Sequence, residues 1–203
     1  MDPYTLPIPD MTRQRAVRRH ARAHPIDLSA PENRECAVDV REAGIAGDNY
    51  YHLEQGNPPY HHRAPGSIPE LYVREGVLAR LLAANSILAF RGYALYLFDA
   101  YRPVEVQNYF HDEWVPAYLH KHNPHWSAAE IEEETGRYWA KGAPQHHVDP
   151  LSPPPHATGA VVDCTLIELE TGAFLHMGSP FDAVEVHSYV DHFEQLALAR
   201  PLL

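Results

Sequence analysis

A histidine and a nearby aspartate, His156 and Asp163, are the strongest candidates for chemistry in this chain. The histidine follows a proline-rich stretch, and the aspartate lies inside the apolar segment 160–168. Because an unpaired carboxylate is costly to bury, Asp163 must be paired, neutral or bound to a cation. Gly159 lets the chain turn, so an imidazole nitrogen and a carboxylate oxygen can reach one Zn²⁺ at about 2 Å. The alternative is a structural histidine beside a salt-bridged aspartate.

A second candidate is the string D-A-Y-R-P at residues 99–103, which directly follows an apolar segment. Arg102 carries a permanent charge and a planar set of donors, which suits it to bind a carboxylate or to stabilise an oxyanion. The alternative is a salt bridge between Asp99 and Arg102 that only fastens the turn.

The elements that must position these residues are predicted from periodicity and breakers. The almost wholly apolar run 93–98 predicts a short central strand that ends at Asp99. A preceding amphipathic helix, closed by Gly92, is predicted from apolar residues at intervals of three and four. These residues are Leu71, Val77, Leu78, Leu81, Leu82 and Leu88.

Further helices and strands are predicted on either side of the histidine loop. Pro103 is typical of the first residue of a helix, which is expected to reach about residue 119 with a kink at Pro116. Ser127 and Glu130 form a capping-box pattern that predicts a helix to about residue 140. Residues 160–168 and 174–177 are predicted as a hairpin around Gly172, and 189–198 as a last helix. Helices mixed with a few strands indicate the α+β class.

Length and composition narrow the function classes. The chain has 203 residues and 45% hydrophobic residues, which predicts one globular domain. Residues 1–31 contain prolines and basic residues without clear periodicity, so they are predicted as a loosely ordered arm before a domain at 32–203. The net charge of −11 argues against nucleic acid or an anionic membrane as the main partner. Cys36 and Cys164 lie far apart and predict neither a disulfide framework nor a thiolate zinc site. No signal-peptide pattern or apolar run of roughly 18 residues is found, so a cytoplasmic location is expected.

Taken together, the two strings resemble the zinc D-Ala-D-Ala dipeptidases of the vancomycin-resistance type. That family carries, in order, D-A-Y-R-P, S-x-H-x-x-G-x-x-x-D, M-G-x-x-F-D and E-x-x-H. The chain matches the first string at 99–103, the second in spacing at 156–163, and the third at 177–182. Asp48, Asn49 and Tyr50 are similar to an early D-N-F segment of the family. The resemblance covers about residues 33–203.

The resemblance implies a fold, a cofactor and a set of roles. It implies a single α+β domain with a small, mostly antiparallel sheet flanked by helices, and one zinc ion per chain bound by His156 and Asp163. Arg102 would polarise the scissile carbonyl, and Asp182 would receive the free ammonium of a small dipeptide. The implied reaction is hydrolysis of D-alanyl-D-alanine or a similar dipeptide in peptidoglycan metabolism, with trimming of a terminal D-Ala from longer peptides as a nearby alternative.

The sequence departs from the family pattern at two places. Pro154 stands where the family has serine, so a hydroxyl contact to the substrate would come from elsewhere, with Ser152 as the candidate. The closing E-x-x-H, which supplies the general base and the third zinc ligand in the family, does not occur, and the chain stops before its expected place.

Three interpretations of the second departure stay open. The chain is a shortened, impaired product of a dipeptidase gene. Alternatively, His187 or His192 is the third ligand and Glu185 or Glu168 is the base. In the third interpretation, the chain binds metal or peptide without catalysis. No glycine-rich phosphate loop, G-x-S-x-G turn or H-E-x-x-H helix is present, so metal-assisted hydrolysis is the reaction class that remains.

Overall fold

The strands form two small sheets around the predicted central strand. The computed structural model of the protein describes residues 25–54, 60–144, 147–188 and 192. Its strands are β1 (Ala37–Asp39), β2 (Ala46–Gly47), β3 (Tyr72–Arg74), β4 (Tyr93–Asp99) and β5 (Asp163–Glu168). Strands β1 and β3 pair antiparallel, while β4 lies between parallel β2 and antiparallel β5. The α+β class and the mostly antiparallel pairing are confirmed, with two sheets in place of one.

Strand β4 is buried on both of its faces, as its apolar sequence predicts. Leu95 and Leu97 point into an aliphatic core, and Ala94 and Phe98 are also buried. The β4–β5 register shifts between Leu97 and Asp99, and it brings Asp99 opposite Asp163. The end of this strand pair therefore places two carboxylates side by side.

The helices follow the predicted order with shifted boundaries. They are α1 (Glu75–Ala89), α2 (Val104–Tyr109), α3 (Val115–His122) and α4 (Ala128–Tyr138). Helix α1 begins later than predicted, because residues 72–74 pair with β1 and Leu71 is fully buried ahead of that strand. Gly92, with φ of 80°, makes the turn from α1 into β4.

The predicted single helix over 104–119 is interrupted. Residues Phe110–Trp114 form a π-helical turn between α2 and α3, just before Pro116. Proline has no N–H to donate to the preceding turn, and a π-helical turn widens the helix where normal pairing fails. The kink predicted at Pro116 is therefore present as this wider turn.

The capping box is confirmed, whereas the second strand of the hairpin is reduced. The Ser127 and Glu130 side chains each bond the other residue's backbone N–H, and α4 follows. Beyond Gly172 the predicted strand shrinks to a bridge between Ile167 and Phe174. Of the predicted arm only 25–31 is described, and of the predicted last helix only His192.

Two clusters of buried residues form the described core, and they differ in composition. One is aliphatic and packs the sheets against α1. The other is largely aromatic and packs α2, α3 and α4 around Tyr51, Tyr60, Phe110 and Trp139. In the described part of the chain, none of the helices has the length and apolar character that a bilayer crossing requires.

Candidate active site

The candidate site forms where β4 and β5 end and a short turn of helix approaches them. A 3₁₀ helix at Pro155–Thr158 carries His156 and is closed by Gly159, whose φ is 69°. The His156 carbonyl accepts a hydrogen bond from the Arg102 N–H at 3.3 Å, and the Gly159 carbonyl accepts one from the Arg74 N–H at 3.0 Å. These bonds fasten the histidine loop to the strand ends, as the predicted turn at Gly159 requires.

The His156 ring is oriented so that one nitrogen is free to bind a metal. Its Nδ1 lies 3.1 Å from the Ala100 carbonyl oxygen and 3.0 Å from Asp99 Oδ2. A histidine that donates from one ring nitrogen to such acceptors keeps the other nitrogen as a ligand. Nε2 lies 3.7 Å from Asp163 Oδ1. Two ligands of a tetrahedral zinc lie about 3.4 Å apart, so these two donor atoms fit one zinc ion.

Asp99 completes a group of three potential ligands, but its contacts indicate an orienting role. One ligand atom from each of Asp99, His156 and Asp163 lies within 4.8 Å of the others, and no further such group occurs among the described residues. Asp99 is fully buried, and its Oδ2 faces both His156 Nδ1 and Arg102. Because Asp99 contacts Nδ1 and Asp163 faces Nε2, Asp99 orients the imidazole from the side opposite to the candidate metal position.

Arg102 is buried among acidic and aromatic groups. It is 7% exposed, and its terminal nitrogen lies 2.8 Å from both Asp99 Oδ2 and Asp163 Oδ2. Burial lowers the pKa of Arg102, but Tyr51, Asp99 and Asp163 outweigh that effect and raise the pKa above its ordinary value. The guanidinium is therefore a permanent cation beside the two candidate ligands. The salt bridge to Asp99 that the sequence suggested is present, and the same guanidinium also contacts Asp163.

The Arg102 guanidinium is held in place from several sides. Its Cζ lies 4.5 Å from the centroid of the Tyr51 ring and 4.9 Å from that of Trp139. Gln107 Oε1 accepts a hydrogen bond from its second terminal nitrogen at 2.9 Å. The indole N–H of Trp139 donates to the Gln107 carbonyl at 2.9 Å, which ties the end of α4 to this arrangement.

Asp182 lies on the same side of the site and is tied to it through tyrosines. Its Oδ2 accepts a short hydrogen bond from the Tyr51 hydroxyl and a second from the Tyr60 hydroxyl at 3.3 Å. Asp182 has φ of 54°, an uncommon backbone conformation for a residue other than glycine. Such conformations concentrate at functional sites. Burial raises the pKa of Asp182 to about 6, against the opposing effects of Arg102 and Tyr51.

Asp163 is the more accessible of the two carboxylates that flank Arg102. Its side chain is 32% exposed, while that of Asp99 is fully buried. Burial raises the pKa of Asp163, although His156 and Arg102 act in the opposite direction. A bound cation would act in the same direction as His156 and Arg102 and favour the ionised ligand.

The other candidate residues do not belong to this group of potential ligands in the described structure. His187 Nδ1 lies 3.1 Å from Glu185 Oε2, so these two residues pair with each other. The His192 ring centroid lies 6.4 Å from that of His187. Glu168 pairs with Tyr93 at the opposite end of β5, and Ser152 is exposed in a turn with its N–H 3.1 Å from the Asp149 carbonyl. Their roles stay predictions.

Sequence reasoning did not find Tyr51, Tyr60, Gln107 or Trp139. Trp139 packs in the aromatic cluster as well as against Arg102, and tryptophan is common in such clusters. The one signal near Tyr51 is its position after the D-N-F-like segment, where Asn49 Oδ1 accepts the Tyr51 N–H at 3.1 Å. No spacing in the sequence connects these residues to Arg102.

Comparison with known proteins agrees with this geometry. Residues 70–197 match the Peptidase_M15 family model, described as D-ala-D-ala dipeptidase. The chain is 30% identical over 148 residues to a D-alanyl-D-alanine dipeptidase of Synechocystis sp. (strain ATCC 27184 / PCC 6803 / Kazusa). The alignment covers 69% of this chain and 53% of the relative, so the chain spans about half the length of that protein. The matched region contains Arg102, His156, Asp163 and Asp182, and the chain belongs to the Peptidase_M15 family of D-Ala-D-Ala dipeptidases.

Proposed function

We propose that this chain is a zinc-dependent dipeptidase that hydrolyses D-alanyl-D-alanine, or a similar dipeptide, in peptidoglycan metabolism. One observation carries the proposal. His156 Nε2 and Asp163 Oδ1 lie 3.7 Å apart, directly beside the buried Arg102 cation. Family membership supports the same reaction class.

In this proposal His156 and Asp163 hold one zinc ion per chain. When bound, zinc polarises a carbonyl and makes water a usable nucleophile near neutral pH. The Asp99 carboxylate and the Ala100 carbonyl keep the His156 ring turned toward the site through its Nδ1. Among the chain's own residues, His187 is the candidate third ligand and Glu185 the candidate general base, with His192 as the other choice of ligand. Glu168, the other base considered from the sequence, lies at the far end of β5 from Asp163 and is not proposed here.

The substrate is held by groups of opposite charge. Arg102 stabilises the negative charge that develops on the scissile carbonyl oxygen, and Asp182 binds the free ammonium of the dipeptide. Arg102 is bonded to Asp163, and Asp182 is bonded to the Tyr51 hydroxyl, so both groups border the metal ligands. Ser152 is the candidate hydroxyl donor to the substrate in the place of the family's serine.

A second candidate function is metal or peptide binding without hydrolysis. The observation that favours it is that, among the described residues, the one group of potential metal ligands is Asp99, His156 and Asp163, which neither a further histidine nor a glutamate joins. Arg102 and Asp182 would bind a peptide in either case.

The proposal is tested by D-alanine release from D-Ala-D-Ala and from its N-acetylated form. We expect the zinc-supplemented protein to release D-alanine from the free dipeptide alone, since Asp182 requires an ammonium group. Equal rates on both peptides would contradict the dipeptidase assignment and favour a carboxypeptidase. No release by a folded, zinc-supplemented protein would favour the binding function.

A further inference from the structure

Tyr51 connects Arg102 and Asp182, the two residues that bind the substrate in the proposed function. Its hydroxyl oxygen accepts a hydrogen bond from the Arg102 terminal nitrogen at 3.1 Å. The same hydroxyl donates to Asp182 Oδ2. Arg102 and Asp182 are therefore joined through a single oxygen atom.

The Tyr51 ring is fixed by its surroundings, so its hydroxyl has a defined position. The residue is 1% exposed, and its ring lies 5.3 Å from that of Phe110 and 5.8 Å from that of Trp139. Its backbone N–H is bonded to Asn49 Oδ1. Burial raises the pKa of Tyr51 well above its ordinary value, so the hydroxyl keeps its proton and donates a hydrogen bond to Asp182.

This link has a consequence for the shape of the ligand. In an α-amino acyl group, the ammonium and the carbonyl oxygen are attached to neighbouring carbons and lie close together. A β-amino acyl group carries an additional methylene between them, and an acetylated amine has no positive charge. Arg102 and Asp182 contact the same hydroxyl, so their spacing suits the α-amino acyl group better than the β-amino or the acetylated form.

We propose that Tyr51 is a positioning residue that holds Arg102 and Asp182 at the spacing of a free α-amino acyl group. The inference rests on the proposed function. It explains how Tyr51, which is not a metal ligand, would make the site prefer substrates that carry a free α-amino group. Tyr51 itself forms no bond to the substrate in this proposal.

The test compares Tyr51→Phe with Tyr60→Phe. Tyr51→Phe keeps the ring and removes the link. Tyr60→Phe removes a hydroxyl that donates to Asp182 at 3.3 Å and, within the described residues, makes no hydrogen bond to Arg102. For each zinc-supplemented protein, binding of D-alanine and of β-alanine is measured by calorimetry. Rates on D-Ala-D-Ala and β-alanyl-D-alanine are measured in parallel, and circular dichroism confirms the fold.

We expect the wild type to prefer D-alanine, and we expect Tyr51→Phe to reduce this preference by about tenfold to a hundredfold, the effect of losing hydrogen bonds to charged groups. Tyr60→Phe should keep the preference. Tyr51→Phe should also lower kcat and raise KM together, since Arg102 and Asp182 both move, whereas Tyr60→Phe should raise KM alone. A folded Tyr51→Phe protein with the wild-type preference would overturn the inference.

A pH titration of D-alanine binding adds a readout that simple loss of packing would not change. The groups that face Asp182 are Tyr51, Tyr60, Arg102, Asp163 and Asp99. Loss of the Tyr51 hydroxyl should move the binding midpoint to higher pH, because one donor to the carboxylate is gone. An unchanged midpoint would count against the link.

The binding arm separates this inference from the proposed function. If the wild type prefers D-alanine in binding, Tyr51→Phe loses that preference and neither protein hydrolyses a dipeptide, the Tyr51 link would be supported and the dipeptidase assignment contradicted. A wild-type protein that hydrolyses D-Ala-D-Ala and binds both amino acids equally would overturn the link alone.

Discussion

Arg102 is the residue on which most contacts of the site converge. It bonds Asp99, Asp163, Gln107 and Tyr51 at distances between 2.8 and 3.1 Å. A lysine places one compact ammonium where arginine places a planar fork, so it cannot keep all of these contacts. The position therefore requires arginine for geometry as well as for charge.

Replacement of Arg102 should reduce turnover without loss of zinc. We predict that Arg102→Lys lowers kcat by about 10²-fold to 10³-fold, the effect of removing a donor to a developing oxyanion. Zinc content, measured by elemental analysis, should equal that of the wild type. Arg102→Ala should show the same loss and also unfold at a lower temperature, because it leaves the buried Asp99 carboxylate without its cation. Full activity of Arg102→Lys would refute the role of the fork.

His156 should determine metal binding. We predict that His156→Ala loses the zinc, because one of the two donors that face each other at 3.7 Å is removed. His120→Ala is the matched control, since that histidine is exposed at the end of α3. The measurement is zinc per chain after dialysis, and equal zinc in both variants would place the metal elsewhere.

Asp182 should give dipeptide binding a dependence on pH. Its pKa is raised by burial to about 6, so the carboxylate that attracts an ammonium is present above that pH and is lost below it. We predict that KM for D-Ala-D-Ala rises as the pH falls through about 6. Asp182→Asn should bind weakly at every pH and lose this dependence. A KM of the wild type that stays constant from pH 5 to 8 would contradict the raised pKa, because an aspartate with its ordinary pKa of about 3.9 stays ionised throughout this range.

The residues of the site differ in how far they could be predicted. Arg102, His156 and Asp163 lie in strings whose residue types carry chemistry, and the structure places them together. Tyr51 and Trp139 reach Arg102 from distant parts of the chain. Their residue types are common in cores, so the sequence has no local pattern that distinguishes them from packing residues.

At the scale of elements, the helix that carries Trp139 begins at a capping box. Ser127 Oγ accepts the Glu130 N–H, and Glu130 Oε2 accepts the Ser127 N–H at 2.7 Å. The Trp139 ring that stacks near Arg102 directly follows the last residue of α4. The cap therefore stabilises α4, and α4 in turn positions Trp139 against Arg102.

Loss of this cap should affect stability more than activity. We predict that Ser127→Ala costs about 1 kcal/mol, which lowers the melting temperature by about 2–4 °C for a chain of this size. Dipeptide hydrolysis at 25 °C should change little. Ser86→Ala is the control, because that hydroxyl bonds a carbonyl within its own helix. A cap variant as stable as the control would contradict the assigned cap.

Elements set by local pattern were predicted well, and those set by distant pairing were not. Strand β4 and the start of α4 follow from an apolar run and a capping pattern. Residues 72–74 form a strand because they pair with 37–39, which no local pattern indicates. The strand predicted over 160–168 begins at Asp163, where its pairing with Asp99 begins.

At the scale of the whole molecule, the site lies where the two described clusters of buried residues meet. Ala100 belongs to the aliphatic cluster, while Tyr51 and Trp139 belong to the aromatic cluster. Arg102 lies between them, together with the ends of β4 and β5. Composition and periodicity predicted the α+β class. They could not predict where the aliphatic and aromatic clusters meet, because that depends on how distant segments pack.

The proposed function depends on a zinc-dependent hydrolytic site formed by His156, Asp163 and Arg102. The most direct test is the rate of D-alanine release from D-Ala-D-Ala by the purified chain before chelation, after chelation, and after zinc is restored. We predict release that stops with the chelator and returns with zinc in the wild type but not in His156→Ala. Release that persists in the chelator, or that is absent from a folded and zinc-supplemented protein, would contradict it.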